Sequence, residues 1–300
     1  MPTSIVGLDI GGANIKASAF FVNGSYNLRS VKLHYPLWIR GLNNLSGALK
    51  SCINALGVNA VNSIAITMTA ELVDIFRDKR EGVEKILKVA KEVFADFKVI
   101  TSRGELITPN EAIDRYMDVA AANWWTVGWF ASKLYEKCVV VDVGSTTTTI
   151  TPVIDGKISV RGFNDIEKMC FGEVIYVGAL RTPISSIASQ VPLNGTWCRT
   201  SSEYFANTGD INLILNFIAE DEYDVITPNG RGKSLNECFA RLSRAICGDV
   251  LMLTKDQLKI IARYIYEKII EKIFEGLIQV LSYLASNGVF VDVGLSLIHI

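Results

Sequence analysis

The chain has 300 residues, with 30 Lys and Arg against 31 Asp and Glu and a formal net charge of -1, so it lacks the basic field that non-specific nucleic-acid binding requires. That length allows two separate cores, because a single core stops growing near roughly 250 to 300 residues. The cysteines include no C-x-x-C pair and are accompanied only by His34 and His299, which argues for reduced thiols and against structural zinc.

Residues 4 to 35 predict three short strands, Ile5–Ile10, Ile15–Val22 and Leu28–Leu33, joined by the Gly11-Gly12 turn and the Asn23-Gly24 hairpin signal. This is a meander and not a βαβ unit. Apolar residues at helical spacing from Leu42 to Leu56 predict a helix ending at Gly57, and Ile64–Met68 follows as a buried strand. A charged helix over Gly82–Phe94, a short strand Lys98–Thr101 and a helix over Asp118–Tyr135 complete the first half. The opening then repeats, with strands Cys138–Val143, Thr146–Ile154 and Lys157–Val160 around Asp142-Val-Gly144 and Asp155-Gly156. Residues 165 to 253 are less regular, with polar loops at Arg181–Gly195 and Thr227–Ser234 and short helices expected around Glu203 and over Asn236–Ile246. Finally, Thr254-Lys-Asp-Gln257 matches a capping box, and one apolar stripe from Leu258 to Leu284 predicts a long helix stopping at Gly288. No apolar run reaches the roughly 18 residues of a membrane helix, and the start has no charged signal-peptide region.

Asp9-Ile-Gly11-Gly12-Ala-Asn14-Ile-Lys16 places two glycines directly after a buried strand, where a tight turn can aim backbone N–H groups at an anion. The next element is a strand, which excludes the Rossmann and P-loop readings, since both need a helix there. Asp9 at the strand end suits a Mg²⁺ ligand beside a phosphate, and Lys16 can supply a point charge. The second copy, Asp142-Val-Gly144-Ser145-Thr146-Thr147, adds hydroxyls for phosphate oxygens, while Thr148 and Thr149 read as plain strand.

These two motifs resemble the phosphate turns of the actin-like ATPase superfamily, specifically its hydantoinase A/oxoprolinase-like branch. Within that branch, further segments resemble the archaeal condensing enzymes of methanofuran biosynthesis: Thr67-Met68-Thr69-Ala-Glu71-Leu-Val-Asp74, Ala121-Ala122-Asn123-Trp124, Gly178-Ala-Leu-Arg181-Thr182-Pro183, Glu203-Tyr-Phe205-Ala206, Thr227-Pro-Asn-Gly230-Arg231 and Arg241-Leu-Ser-Arg244-Ala-Ile-Cys247-Gly-Asp249. The resemblance implies an α/β fold of two ribonuclease-H-like lobes, each opening in a β-meander within a mixed sheet, with a ligand cleft between them. The lobes would span 1–136 and 137–300, the second carrying a site-building insertion at about 161–253.

It also implies a transferase that joins a furfuryl diphosphate to the phenol of γ-glutamyltyramine and releases diphosphate. Mg²⁺ on Asp9 and Asp142 is then expected, and ATP is not. Gly11, Gly12, Asn14, Gly144, Ser145, Thr146, Thr147 and Arg181 would hold phosphate, with Lys16 assisting the departing anion. Glu71 or Asp74 would take the phenolic proton, each alternatively being a solvated helix start. Asn123, Arg231 and Arg244 are candidates for substrate contact, although Arg231 also reads as a solvated turn, and Arg241 with Arg244 suits phosphate contact or an interhelical ion pair. Trp124 and Trp125 can stack on a ring or fill a core. His34 is expected to end a strand and bind nothing, and the cysteines to be buried apolar fillers.

Family members close the second lobe with a strand, a glycine-rich turn and a helix, whereas here the chain reads Gly288-Val-Phe-Val-Asp292-Val-Gly294 and stops six residues later. A truncated or artefactual tail is the expectation. A cytoplasmic enzyme of small-molecule substrates follows, without nucleic-acid or membrane partners and with a homo-oligomer left open. The alternatives are an ATP-dependent kinase or hydantoinase/oxoprolinase-type subunit, and a non-catalytic actin-like assembly protein.

Overall fold

The computed structural model describes residues 3–22, 26–58 and 61–291. The Asn23-Gly24 turn and the tail 292–300, with Asp292-Val-Gly294 and His299, lie outside the described residues. The chain forms two compact units, residues 1–136 with 153–167, and residues 137–152 with 168–300. It therefore passes between units more than once, where the sequence suggests a single cut after residue 136.

In the first unit, β1 (Thr3–Ile10), β2 (Asn14–Val22) and β3 (Tyr26–His34) make the expected antiparallel meander. Val6, Leu8 and Ile10 are buried while Ile5 and Gly7 are exposed, the period-two pattern of a strand with one covered face. After α1 (Leu37–Arg40) and α2 (Leu45–Ala55), β4 (Ser63–Met68) lies parallel to β1 on its other edge, with Ile5 opposite Ser63 and Ile10 opposite Met68. There follow α3 (Lys79–Val93), β5 (Lys98–Ile100), β6 (Leu106–Ile107), α4 (Pro109–Asp114), α5 (Tyr116–Val119) and α6 (Asn123–Leu134). The six strands take the order β3-β2-β1-β4-β5-β6. Val83, Ile86 and Leu87 of α3 join Leu45 and Leu49 of α2 in the core beneath Val6, Leu8 and Ile66.

The helix expected over Asp118–Tyr135 is broken in two. Ala120 pairs alongside Met68 at the end of β4, and Ala121, with a φ of 50°, then turns the chain into α6.

The second unit opens with β7 (Cys138–Val143) and β8 (Thr148–Ile154), whose last two residues, counted with the first unit, pair with β9 (Lys157–Ile158). After α7 (Asp165–Cys170), β10 (Val174–Ile175) pairs with β8 at Thr148 and Thr149. A hairpin of β11 (Gln190–Leu193) and β12 (Thr196–Arg199) occupies what reads as polar loop. Its turn, Asn194-Gly195, has φ of 49° and 76°, so the Asn-Gly hairpin signal was present in the sequence.

No helix forms around Glu203. The helix starts instead where Asn207 and Asp210 make a capping box, giving α8 (Thr208–Ile214), and α9 (Leu235–Arg244) and α10 (Lys255–Ser286) follow. The Thr254–Gln257 capping box opens α10 as expected, and Leu258, Ile261, Ile265 and Ile269 face the core. Only Cys52 and Cys238 are buried fillers, whereas Cys170 and Cys247 are exposed, the latter in a left-handed turn after α9. Among the described residues no helix is long and apolar enough to cross a membrane.

One close approach sets the position of α3. A Cβ on Gly82 would lie 2.2 Å from the carbonyl oxygen of Glu71. Replacing glycine by alanine in an open helix stabilises by about 1 kcal/mol. Here Gly82→Ala is expected to destabilise by about 1–3 kcal/mol in urea unfolding, as overpacked positions do, and a stabilised variant would show that α3 and the Glu71 segment are not in contact.

Candidate active site

Because β1 and β4 are parallel, both finish at one edge of the sheet, the edge at which α/β sheets bind ligands. Asp9 stands opposite Thr67 on one side and opposite Lys16 on the other. Lys16 Nζ is 3.8 Å from Asp9 Oδ2. In the turn beyond, Gly11 N–H donates to the Asn14 carbonyl at 3.0 Å, while Leu37 N–H and Tyr35 N–H donate to the carbonyls of Gly12 and Ala13 at 2.8 and 2.9 Å. With its carbonyls engaged from within the unit, the turn offers N–H groups, the polarity that suits an anion. His34 does bind something: its Nδ1 hydrogen-bonds Asn14 Oδ1 at 3.2 Å and braces the turn. The segment after β4 packs on the same turn, since Thr69 N–H donates to the Ile10 carbonyl at 3.0 Å and Val73 Cγ2 would meet a Cβ on Gly12 at 3.0 Å.

That segment carries Glu71, which is 1% exposed and lies in a turn ahead of α3, not at a solvated helix start. Neither of its carboxylate oxygens has a hydrogen-bond partner of good geometry among the described residues, and the same holds for Thr67 Oγ1 and Ser102 Oγ. Buried polar groups are nearly always paired, so several unpaired ones at a sheet edge mark a place where a ligand or water belongs. Burial pushes the Glu71 carboxyl up from 4.5 to about 7. Its own backbone N–H, the Lys79 ammonium and the Ala121 N–H pull it down, and Asp165 pushes it further up. Lys79 and Asp165 are themselves paired at 2.5 Å. Ser102, Lys79 and Asp165 are absent from the sequence-based candidates, because nothing local distinguishes them from ordinary turn and helix-start residues.

In the second unit Gly144 N–H donates to the Thr147 carbonyl at 2.8 Å, the geometry of the first turn over again. Ala179 N–H donates to the Gly144 carbonyl at 2.9 Å, and Leu180 and Arg181 N–H donate to the Ser145 carbonyl at 3.1 and 2.9 Å. A Cβ on Gly178 would stand 2.5 Å from Thr146 N, so this segment lies directly against the turn. The Arg181 guanidinium reaches Thr146 Oγ1 at 3.4 Å, and its burial lowers its pKa, opposed by Tyr204 and Tyr176. Asp142 is half-buried at the end of β7, with Ser145, Thr146 and Thr147 half-buried in the turn. Thr148 is buried strand, its hydroxyl donating to the Val177 carbonyl at 2.7 Å.

The remaining candidates are dispersed. Asp74 is exposed. Asn123 begins α6, three residues beyond the Met68–Ala120 pairing, and so stands near the Glu71 edge. Arg231 and Arg244 are exposed, while Arg241 is wholly buried in an ion pair with Asp210, the structural alternative for that residue. Trp124 is core, and Trp125 lies against Gly104 and stacks on Trp129.

Asp9 and Asp142 each stand two residues before a turn glycine and offer hard oxygen donors. No group of three His, Cys, Asp or Glu gathers among the described residues. Taken singly, each is a donor of the kind Mg²⁺ uses, since that ion takes one or two carboxylates and completes its shell with water and phosphate oxygens.

Residues 62–291 match the Hydantoinase/oxoprolinase family model. The chain is 37% identical over 278 residues to a Methanocaldococcus jannaschii protein, covering 92% of this chain and 81% of that one, named (4-{4-[2-(gamma-L-glutamylamino)ethyl]phenoxymethyl}furan-2-yl)methanamine synthase. A Methanococcus vannielii protein of the same name is 38% identical over 148 residues, covering 49% of this chain and 66% of that one. Among solved structures, nucleotide-free acetone carboxylase matches with a TM-score of 0.52 at 10% identity, over 96% of this chain and 64% of its own length. The last likeness is one of fold, of the actin-like ATPase type expected from the two turns.

The carboxyl of Glu71 also makes stability depend on pH. Held at about 7 in the fold against an ordinary 4.5, it keeps a proton that the unfolded chain has released, so its contribution is full below about pH 4.5 and is lost as pH rises to about 7. Glu71→Gln is expected to be more stable relative to the parent at pH 8 than at pH 5, by on the order of 3 kcal/mol in denaturant titrations. An equal difference at both pH values would show the carboxyl is not held protonated.

Proposed function

The chain belongs to the hydantoinase/oxoprolinase family, and from that premise we propose that it is a transferase forming the aryl ether named in its relatives' product. The phenol of γ-glutamyltyramine attacks the methylene carbon of an aminomethylfuran diphosphate and releases diphosphate, a step of methanofuran biosynthesis. The observation that carries this reading is Glu71, a buried carboxyl without good partners whose pKa is raised to about 7, beside the first anion-binding turn.

A phenol has a reference pKa near 10, so a base that titrates near neutrality can take its proton as the new bond forms. As the phenolic oxygen bonds to carbon, the proton passes to Glu71 and the electron pair of the breaking C–O bond leaves with diphosphate. The furan ring spreads the positive charge that develops on the methylene carbon. At the first turn its N–H groups and Lys16, and at the second turn Ser145 to Thr147 and Arg181, are in each case donors suited to an anionic leaving group. Asp9 at the first turn and Asp142 at the second would each suit Mg²⁺, which when bound neutralises charge on a phosphate group. Asn123, three residues beyond the Met68–Ala120 pairing, is the candidate to orient the phenolic substrate, and Arg231 and Arg244 are candidate cationic contacts for a substrate carboxylate.

The test supplies purified protein with aminomethylfuran diphosphate, γ-glutamyltyramine and Mg²⁺, and follows diphosphate release and the mass of the ether, with ATP alone in parallel. Ether and diphosphate in equal amounts are expected, with kcat/KM rising through about pH 7 to a plateau as Glu71 ionises. Glu71→Gln is expected to lower kcat by about 10²–10⁴-fold, and Asp9→Asn to abolish turnover with the fold intact. ATP consumption without ether would overturn the proposal in favour of a kinase-like activity.

A further inference from the structure

The second unit contains a buried charge pair for which the reaction above has no use. Arg241 and Asp210 are both fully buried, with Arg241 Nε and Nη2 at 2.8 and 2.7 Å from Asp210 Oδ1. Tyr223 Oη lies 3.1 Å from the same oxygen and 2.6 Å from Asn207 Oδ1. Its pKa is raised by burial and by Asp210, so the phenol remains a donor. Pairs of this kind add little stability over an apolar replacement, so the presence of this one calls for another reason.

The geometry supplies one on each side of the pair. Toward the loop at 227–232, Arg241 Nη1 donates to Gly232 O at 2.9 Å and to Asn229 Oδ1 at 3.3 Å. Asn229 Oδ1 also accepts from Arg231 N–H at 3.1 Å. Toward the second turn, the residues around Asp210 grip the segment after β10. Thr208 Oγ1 donates to Gly178 O at 2.7 Å, Gly209 N–H to Leu180 O at 3.1 Å, and Asn212 Nδ2 to Ala179 O at 2.7 Å. That segment in turn donates to the carbonyls of Gly144 and Ser145, and carries Arg181.

We propose that Arg241 is a positioning residue for anion binding. Through Asp210 it seats the Arg181 segment against the second turn, and through Asn229 and Gly232 it sets the loop that presents Arg231. The fork of an arginine can reach a carboxylate, an amide oxygen and a carbonyl at once, which a lysine ammonium cannot reproduce. This role rests on the second turn being a diphosphate site.

The experiment is calorimetric binding of inorganic diphosphate with Mg²⁺ to the full chain, alongside steady-state kinetics, for Arg241→Lys, Arg181→Ala and the double variant. Thermal unfolding confirms that each is folded at the assay temperature. Arg241→Lys is expected to weaken diphosphate binding by about 10–100-fold, as misplaced binding groups do, and to raise the KM for the furfuryl diphosphate in parallel, with a smaller change in kcat. In the Arg181→Ala background it is expected to add nothing to the loss of diphosphate binding, the signature of two residues acting as one. If Arg241→Lys does not fold, Tyr223→Phe removes only the phenol's contacts to the same carboxylate and to Asn207 Oδ1 and is expected to weaken diphosphate binding by a smaller factor. Asn229→Ala loosens only the 227–232 loop, and is expected to raise the KM for the phenolic substrate with diphosphate binding unchanged. Additive effects in the double variant, or diphosphate binding indifferent to both Arg241→Lys and Tyr223→Phe, would overturn the positioning role alone. Absence of diphosphate binding by the parent protein would overturn both this role and the site it serves.

Discussion

The parallel pairing of β1 with β4 is the constraint on which the first unit depends. Two parallel strands must end at the same edge, so the register that puts Asp9 beside Thr67 also brings the Gly11-Gly12 turn and the residues after Met68 together. Everything at that edge then follows from sealing it. The α3 helix closes on the backbone of Glu71 through Gly82, while Ala120 pairs beside Met68 and the left-handed Ala121 then turns the chain into α6. Glu71 ends up in a space too dry for an ordinary carboxylate, and its proton affinity rises accordingly. Lys79 and Asp165 act on it with opposite signs and are paired with each other, which leaves burial as the dominant influence.

The second unit repeats the turn but supports it by other means. In the first unit the turn carbonyls are engaged by Tyr35 and Leu37, which directly follow the meander. In the second they are engaged by residues 179–181, from the irregular region after β10. The same backbone device therefore acquires a different neighbour, and that neighbour brings a guanidinium. A cation comes to one turn from an adjacent strand, Lys16, and to the other from the segment after β10, Arg181, a difference that a simple duplication of the meander would not produce.

Both units keep ionisable groups away from water, and they do so differently. Glu71 is left without good partners, which tunes a titration. Arg241 and Asp210 satisfy one another and several neighbours, which fixes geometry. Desolvating a charge costs several kcal/mol unless it is compensated, so the first arrangement suits a group that changes protonation and the second suits one that does not.

Local rules in the sequence were enough for the repeated meander, the exclusion of a helix after the glycines, the capping box that opens α10 and the strand that precedes Glu71. Each depends on a period of two or 3.6 residues or on turn chemistry within four positions. Family resemblance added Glu71 as a candidate base, but as one of two, with Asp74 equal to it. Tertiary structure separated them, because burial depends on α3 and Ala121 arriving from elsewhere, and Asp74 remains in solvent. The same applies to Arg241, whose carboxylate partner lies 31 residues away, and to His34, whose partner Asn14 is set by strand register. The Asn194-Gly195 hairpin is legible among its polar neighbours, whereas the break at Ala121 is not, since only the pairing of Ala120 with Met68 demands it. Sequence thus determined which residues could carry the chemistry, and long-range contacts decided which of them are dry, charged and held in place.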